Sequence, residues 1–273
     1  MLVFNLRKEL QSFLSEDIGK GDITSSLLPK KKISARIISR EKAVVAGVKF
    51  AKEIFNLKGC RVRILKKDGQ KVIPNQAIMI ISGDARQILK CERTVLNLLT
   101  RMSGIATQTN NLVAKIPNKK TKIFATRKTA PGLRFFDKEA VMIGGGEKHR
   151  LRLDEMVMIK DNHIAVNNSL LGLIKKAKRR YKKFEVEVEN NSDAILAAKE
   201  GATIIMLDNF SPGQIKKTIK NLKMEKLRDK VKLEASGGIT SKNISYYANI
   251  GVDIISVGSI TNSVKGIDMS LEI

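Results

Sequence analysis

The sequence predicts an α/β protein in two parts, a mixed N-terminal region followed by parallel strands with crossover helices. Three observations carry this. From residue 121 onward, six short apolar runs recur, bounded by turn residues and separated by segments long enough for a helix. Each run gives way to polar residues or glycine, as strands do at the C-terminal mouth of an α/β barrel. Before about residue 105 the rhythm differs, with helical and strand-like stretches in mixed order.

In the N-terminal part, Phe4 to Leu14 reads as a short amphipathic helix, followed by the polar loop EDIGKGDITSS. Glu16, Asp17 and Asp22 of that loop have the spacing of neither an EF-hand nor a zinc site, so turn and capping roles are expected. Strand-like runs follow at Ile33 to Ser39 and Arg61 to Leu65. Helical patterns cover Val48 to Asn56 and Ala85 to Ser103, the latter with Leu89, Val95, Leu96, Leu98 and Leu99 on one face.

The six later runs are Lys122 to Ala125, Met156 to Ile159, Phe184 to Val188, Thr203 to Leu207, Val231 to Ala235 and Asp253 to Val257. By count they suit an open doubly wound sheet or a short barrel. The residues just past each run favour the barrel. The first leads into Thr126-Arg127-Lys128-Thr129, the second into Lys160-Asp161-Asn162-His163, and the fourth into Asp208-Asn209. The fifth ends at Ser236-Gly237-Gly238 and the sixth at Val257-Gly258-Ser259, where glycine lets backbone N–H groups approach an anion. Within FEVEVEN, a period of two places Glu185, Glu187 and Glu189 on one face. In a barrel these face inward and need cations or a metal; at a sheet edge they would simply be solvated. Arg127, Lys128, His149, Arg150 and Lys160, with Arg101 upstream, outnumber those carboxylates, so an electropositive pocket for a multiply anionic substrate is expected. A structural role is the other reading of His149. Gly144-Gly145-Gly146 fits neither GxxxxGK[ST] nor GxGxxG.

Bulk composition narrows the function classes. The chain has 273 residues, 42% hydrophobic, enough for a sizeable core. Its formal net charge of +24 comes from 36 Lys against 15 Arg, with only 4% aromatic residues, so arginine forks and stacking platforms for nucleic acid are scarce. A lysine-rich surface that attracts small anions, and no nucleic-acid partner, is the expectation. Apolar stretches such as Ala77 to Ile81 are far below the ~18 residues of a membrane span. The N-terminus has no signal-peptide apolar region, and Cys60 and Cys91 cannot make a disulfide framework. A cytoplasmic protein without a membrane partner is expected.

The stretches EDIGKGDITS, ERTVLNLLTRMSGIAT, ATRKTAPGLR, AVMIGGGEKHRLRLDEMVMIKDNHI, EVEVEN, MLDNFSP, LEASGGIT and GVDIISVGSITNS, in this order, resemble the quinolinate phosphoribosyltransferase family, the carboxylating nicotinate-nucleotide pyrophosphorylases. The resemblance implies a type II phosphoribosyltransferase-like fold. Residues 1–107 would form an N-terminal α/β sandwich, joined by the tail 264–273, and residues 108–263 an incomplete, six-stranded α/β barrel. It implies transfer of phosphoribosyl from 5-phosphoribosyl 1-diphosphate to quinolinate with loss of CO₂, giving nicotinate mononucleotide and pyrophosphate for NAD biosynthesis. It also implies Mg²⁺, no organic cofactor, and a homodimer or higher assembly.

Position by position, the resemblance makes Lys128, Glu187 and Asp208 the catalytic residues, with Glu187 and Asp208 holding Mg²⁺ mainly through substrate and water. Thr126, Arg127, Lys128, His149, Arg150 and Lys160 would bind quinolinate carboxylates and phosphate groups. Ser236, Gly237, Gly238, Val257, Gly258 and Ser259 would cradle the 5′-phosphate, and Arg101 would reach a partner subunit's site. Lys148, Arg152 and Asn262 depart from the family's usual pattern.

Overall fold

The structure, a computed structural model, describes residues 5–117 and 120–273. Phe4, where the first helix is expected to begin, lies outside them. The chain divides into two compact units, Met1–Gln108 with Val264–Ile273, and Thr109–Ser263.

The first unit is built on antiparallel pairing. Its strands are β1 (Lys32–Ser39), β2 (Ala43–Val44), β3 (Arg61–Ile64), β4 (Lys71–Val72) and β5 (Gln76–Asp84). β1 pairs with β5, β5 with β3, and the C-terminal strand Met269–Glu272 closes the other edge of β1, while β2 pairs with β4. The inner face of this sheet and the helix Val48–Leu57 share a core of Ile37, Ile78, Ile81, Phe50, Ile54 and Phe55, all essentially inaccessible to water.

Two sequence expectations change here. The first helix runs Leu6–Ile18, so Glu16 and Asp17 lie on it rather than in a loop, and Asp17 accepts a hydrogen bond from Thr94. Asp22 does cap, accepting from the Ser25 N–H at the start of a short helix. The helix expected to stop at Ser103 continues from Ala85 to Val113. Gly104, within this helix, is a point of close approach, because a Cβ there would lie 2.2 Å from the Lys265 carbonyl oxygen.

The second unit holds the six parallel strands: β6 (Lys122–Phe124), β7 (Val157–Ile159), β8 (Phe184–Val188), β9 (Ile204–Asp208), β10 (Lys232–Ser236) and β11 (Ile254–Ser256). Their order is β6-β11-β10-β9-β8-β7, so β6 and β7, consecutive in the chain, stand at opposite edges and the barrel is incomplete. The α/β fold class and the six-stranded parallel sheet expected from the sequence are borne out. Alternate residues such as Val186, Ile205, Leu207, Leu233 and Ile255 are fully buried on one face of the strands. The register sets the other face in rows: Glu187 and Glu234 both pair with Met206, and Asp208 pairs with Ser236. No helix among the described residues is long and apolar enough to cross a membrane.

Candidate functional site

A cavity of about 360 Å³ opens over the C-terminal ends of the parallel strands. Of the sequence-predicted residues, Thr126, Arg127 and Lys128 line it from beyond β6, and His149 and Arg150 from the segment ahead of β7. Lys160, Glu187, Asp208 and Ser236 complete the set from β7 to β10. Parallel strands that all end at one face bring residues more than a hundred positions apart to one place.

Each cation is aimed by local structure. The Lys128 N–H donates to Thr126 Oγ1 at 3.1 Å and its carbonyl accepts from Thr261 Oγ1 at 2.8 Å, fixing the turn after β6. Arg127 Nε is buried with no hydrogen-bond partner among the described residues. Arg150 is 9% exposed, and its guanidinium donates to the Met156 carbonyl at 2.8 Å. Ile159 pairs with Val186, so the register sets Lys160 opposite Glu187, and the two side chains form an ion pair.

The predicted row of three inward carboxylates becomes two. β8 ends at Val188, and Glu189 lies beyond it, exposed to solvent. Glu185 is fully buried and Glu187 partly so. The third buried acid is one the sequence reading missed, Glu234 of β10. A signal was there: Glu234 is a lone charge within an otherwise apolar run, on the same face as Ser236. His149 Nε2 stands 3.2 Å from Glu185 Oε2 and 3.4 Å from Glu234 Oε2, at ion-pair distance. Phe124 meets the imidazole edge-on at 5.7 Å between ring centres.

Those contacts decide the ring's proton affinity. Burial lowers the His149 pKa, but Glu185 and Glu234 outweigh it and raise it to about 9. Burial pushes the Glu185 carboxyl up to about 6. A histidine raised on folding from 6.5 to about 9 gives stability that is complete below 6.5 and lost as pH rises through 9. Glu185, raised from 4.5, loses its share lower, between 4.5 and about 6. Urea unfolding is therefore expected to show wild-type stability falling, relative to His149→Gln, between pH 6.5 and 9, by up to about 3 kcal/mol. Parallel stability curves for the two proteins would contradict this.

Five predicted residues of the second unit do not line the cavity: Gly237, Gly238, Val257, Gly258 and Ser259. Gly237 and Gly238 have φ of +89° and +62°, and a Cβ on Gly237 would lie 2.1 Å from Asn209 Oδ1, so this turn requires glycine. A Cβ on Gly258 would lie 3.2 Å from Lys128 Cδ, so this glycine sits beside a cavity residue. Val257 is buried. Arg101 belongs to the first unit, half-buried on the helix Ala85–Val113.

Two sets of side chains could hold a cation. His149, Glu185 and Glu234 offer ligand atoms within 4.8 Å of one another, where the imidazole nitrogen already stands at ion-pair distance from both carboxylates. Glu187 and Asp208, on adjacent strands at the cavity, offer hard carboxylate oxygens of the kind Mg²⁺ takes alongside substrate oxygens. The second set fits Mg²⁺ by donor chemistry.

Comparison with known proteins finds likeness over nearly the whole chain. The family model "Quinolinate phosphoribosyl transferase, C-terminal domain" matches residues 105–272, and the corresponding N-terminal domain model matches residues 22–103. A probable nicotinate-nucleotide pyrophosphorylase [carboxylating] of Methanothermobacter thermautotrophicus is 44% identical over 271 residues, covering 97% of each chain. The Archaeoglobus fulgidus protein of the same description is 45% identical over 255 residues, covering 93% of this chain and 98% of its own. Among solved structures, the nicotinate-nucleotide pyrophosphorylase of Ehrlichia chaffeensis superposes with a TM-score of 0.93 at 37% identity, covering 100% of this chain and 99% of its own. That of Francisella tularensis gives 0.89 at 41%, covering 98% and 95%.

Proposed function

The chain belongs to the quinolinate phosphoribosyltransferase family, and from that premise we propose that it converts quinolinate and 5-phosphoribosyl 1-diphosphate to nicotinate mononucleotide, CO₂ and pyrophosphate, a step of NAD biosynthesis. One observation carries the reading. A single cavity gathers Arg127, Lys128, His149, Arg150 and Lys160 with three acids, Glu187, Asp208 and Glu234, so that cations outnumber carboxylates along its lining. Two polyanions that must meet need such a surplus of positive charge.

The reaction breaks the bond from the ribose anomeric carbon to the diphosphate oxygen and forms a bond from that carbon to the pyridine nitrogen. Positive charge develops on the ribose as the diphosphate departs, and Glu187 and Asp208 stabilise it. Lys128 and Lys160 take up the departing negative charge. Arg127, His149 and Arg150 hold the quinolinate carboxylates so that the ring nitrogen faces the sugar, which is positioning rather than proton chemistry. Once the nitrogen is alkylated, the 2-carboxylate leaves as CO₂, its electron pair stays on the ring carbon beside the cationic nitrogen, and that carbon takes up a proton. Glu187 and Asp208 would hold Mg²⁺, which would supply neutralisation of the diphosphate charge. No organic cofactor is needed. The glycine turns at Gly237-Gly238 and Gly258 offer backbone N–H groups to the 5′-phosphate. Formation of nicotinate mononucleotide by the purified protein from the two substrates and Mg²⁺ tests the proposal; no product would refute it.

The working unit is a homodimer, in the cytoplasm, in which Arg101 serves the partner subunit's cavity. Support for this is the charge surplus the reaction needs and the resemblance of the RMSGIAT helix. Arg101→Ala and Lys128→Ala subunits, each inactive alone, are expected to regain up to about a quarter of wild-type activity after subunit exchange, since each mixed dimer carries one complete site. No recovery after verified exchange would place Arg101 outside the partner's site.

A further inference from the structure

Lys138 is a buried charged group of the second unit that the proposed reaction does not use. It lies in the middle of the helix Arg134–Ile143, wholly shielded from solvent, and it does not line the cavity. Burying an ammonium is costly unless its donors are satisfied. Here Nζ donates to the Lys148 carbonyl at 2.6 Å and also to the Arg150 carbonyl. These are the carbonyls on either side of His149. Two neighbours on the same helix bind the same segment: Arg134 Nη1 donates to the Leu151 carbonyl at 3.3 Å, and Glu139 accepts from Lys148 Nζ.

The held segment is strained. His149 has φ of +52°, a left-handed conformation that a side chain bearing a Cβ adopts only where its surroundings impose it. Its Nδ1 lies 2.7 Å from the backbone nitrogen of Arg150, so the ring packs against the peptide that carries the guanidinium. A substitution that freed the two carbonyls would let the backbone relax and swing both side chains from their present aim.

We infer that Lys138 is a positioning residue, whose buried ammonium ties the backbone on both sides of His149 to the helix Arg134–Ile143 and so sets the aim of His149 and Arg150 toward the substrate's carboxylates. This rests on the function proposed above. Burial, with the nearby Arg134, lowers the Lys138 pKa to about 8.

The test is steady-state kinetics of Lys138→Met and Lys138→Arg, varying each substrate separately, with circular dichroism and melting temperature to establish folding. For Lys138→Met, the KM for quinolinate is expected to rise about tenfold or more, as misplaced binding groups produce, while the KM for the phosphoribosyl donor stays within about twofold. Lys138→Arg, which keeps donors for both carbonyls, should recover part of the quinolinate KM. If Lys138→Met does not fold, Lys138→Gln, with two amide N–H donors, takes its place. In a double-mutant cycle with His149→Ala, the two losses should combine to less than their product, because both act on one aim. Equal rises in both KM values, an unchanged quinolinate KM, or fully multiplicative losses would overturn the inference. Wild-type turnover of quinolinate is the control: without it the proposed function fails, and with it only the role of Lys138 is at stake.

Discussion

Nicotinate is expected to be used with a kcat/KM about 10⁴-fold below that of quinolinate. The reason is a set of donors already removed from water. Arg127 Nε is buried without a partner among the described residues, Arg150 is buried, and His149 is held from behind by Glu185 and Glu234. Quinolinate brings two adjacent carboxylates to these groups and nicotinate brings one. A buried cationic donor left without its acceptor costs most of what solvation had given it, and a site built for a polar group discriminates sharply against an analogue that lacks it. Two of the three departures from the family pattern are engaged outside this set of donors. Lys148 pairs with Glu139, and Arg152 with Asp154 and Glu155, and neither Lys148 nor Arg152 lines the cavity. Measured kcat/KM values for the two acids within tenfold of each other would contradict the assignment of these donors.

The second large effect concerns the acids. Glu187→Gln and Asp208→Asn should each fold normally and lose kcat by about 10²–10³, the scale for removing one group that stabilises transition-state charge. Both substitutions are nearly isosteric, so binding geometry survives while the charge is lost. Glu187 also neutralises Lys160, and its loss leaves that ammonium free to bind phosphate more tightly. A lowered KM for the phosphoribosyl donor should therefore accompany the fall in kcat in Glu187→Gln but not in Asp208→Asn. The dependence on Mg²⁺ concentration should shift to higher values in both. Near-normal turnover in the two variants would remove them from the reaction.

The sequence made the catalytic half of the fold legible because its signals are local. Each of the six parallel strands is a short apolar run closed by a polar or glycine residue, and the run Phe184–Val188 was bounded to the residue. The first unit was less legible. β5 is apolar without strict alternation, and a run such as Ala77 to Ile81 reads equally as buried strand or helix. The C-terminal strand Met269–Glu272 takes its place only through pairing with β1, more than two hundred residues away. In the cavity, Arg127, Lys128, Lys160 and Asp208 could be read because they stand at or just past strand ends, and Glu187 because it alternates within FEVEVEN. Glu189 was misplaced because period two says nothing of where a strand stops. Lys138 was missed because a lysine in a helix ordinarily faces water, and only tertiary contact shows that this one holds two carbonyls.

The central claim is that one cavity joins the ribose to quinolinate and then releases the 2-carboxylate. Quinolinate labelled in that carboxylate tests it most directly. The wild-type protein is expected to release labelled CO₂ in equal amount to the nicotinate mononucleotide formed, only when 5-phosphoribosyl 1-diphosphate is present, and Lys128→Ala is expected to release essentially none. Labelled CO₂ released without the phosphoribosyl donor, or a mononucleotide that retains the label, would contradict it.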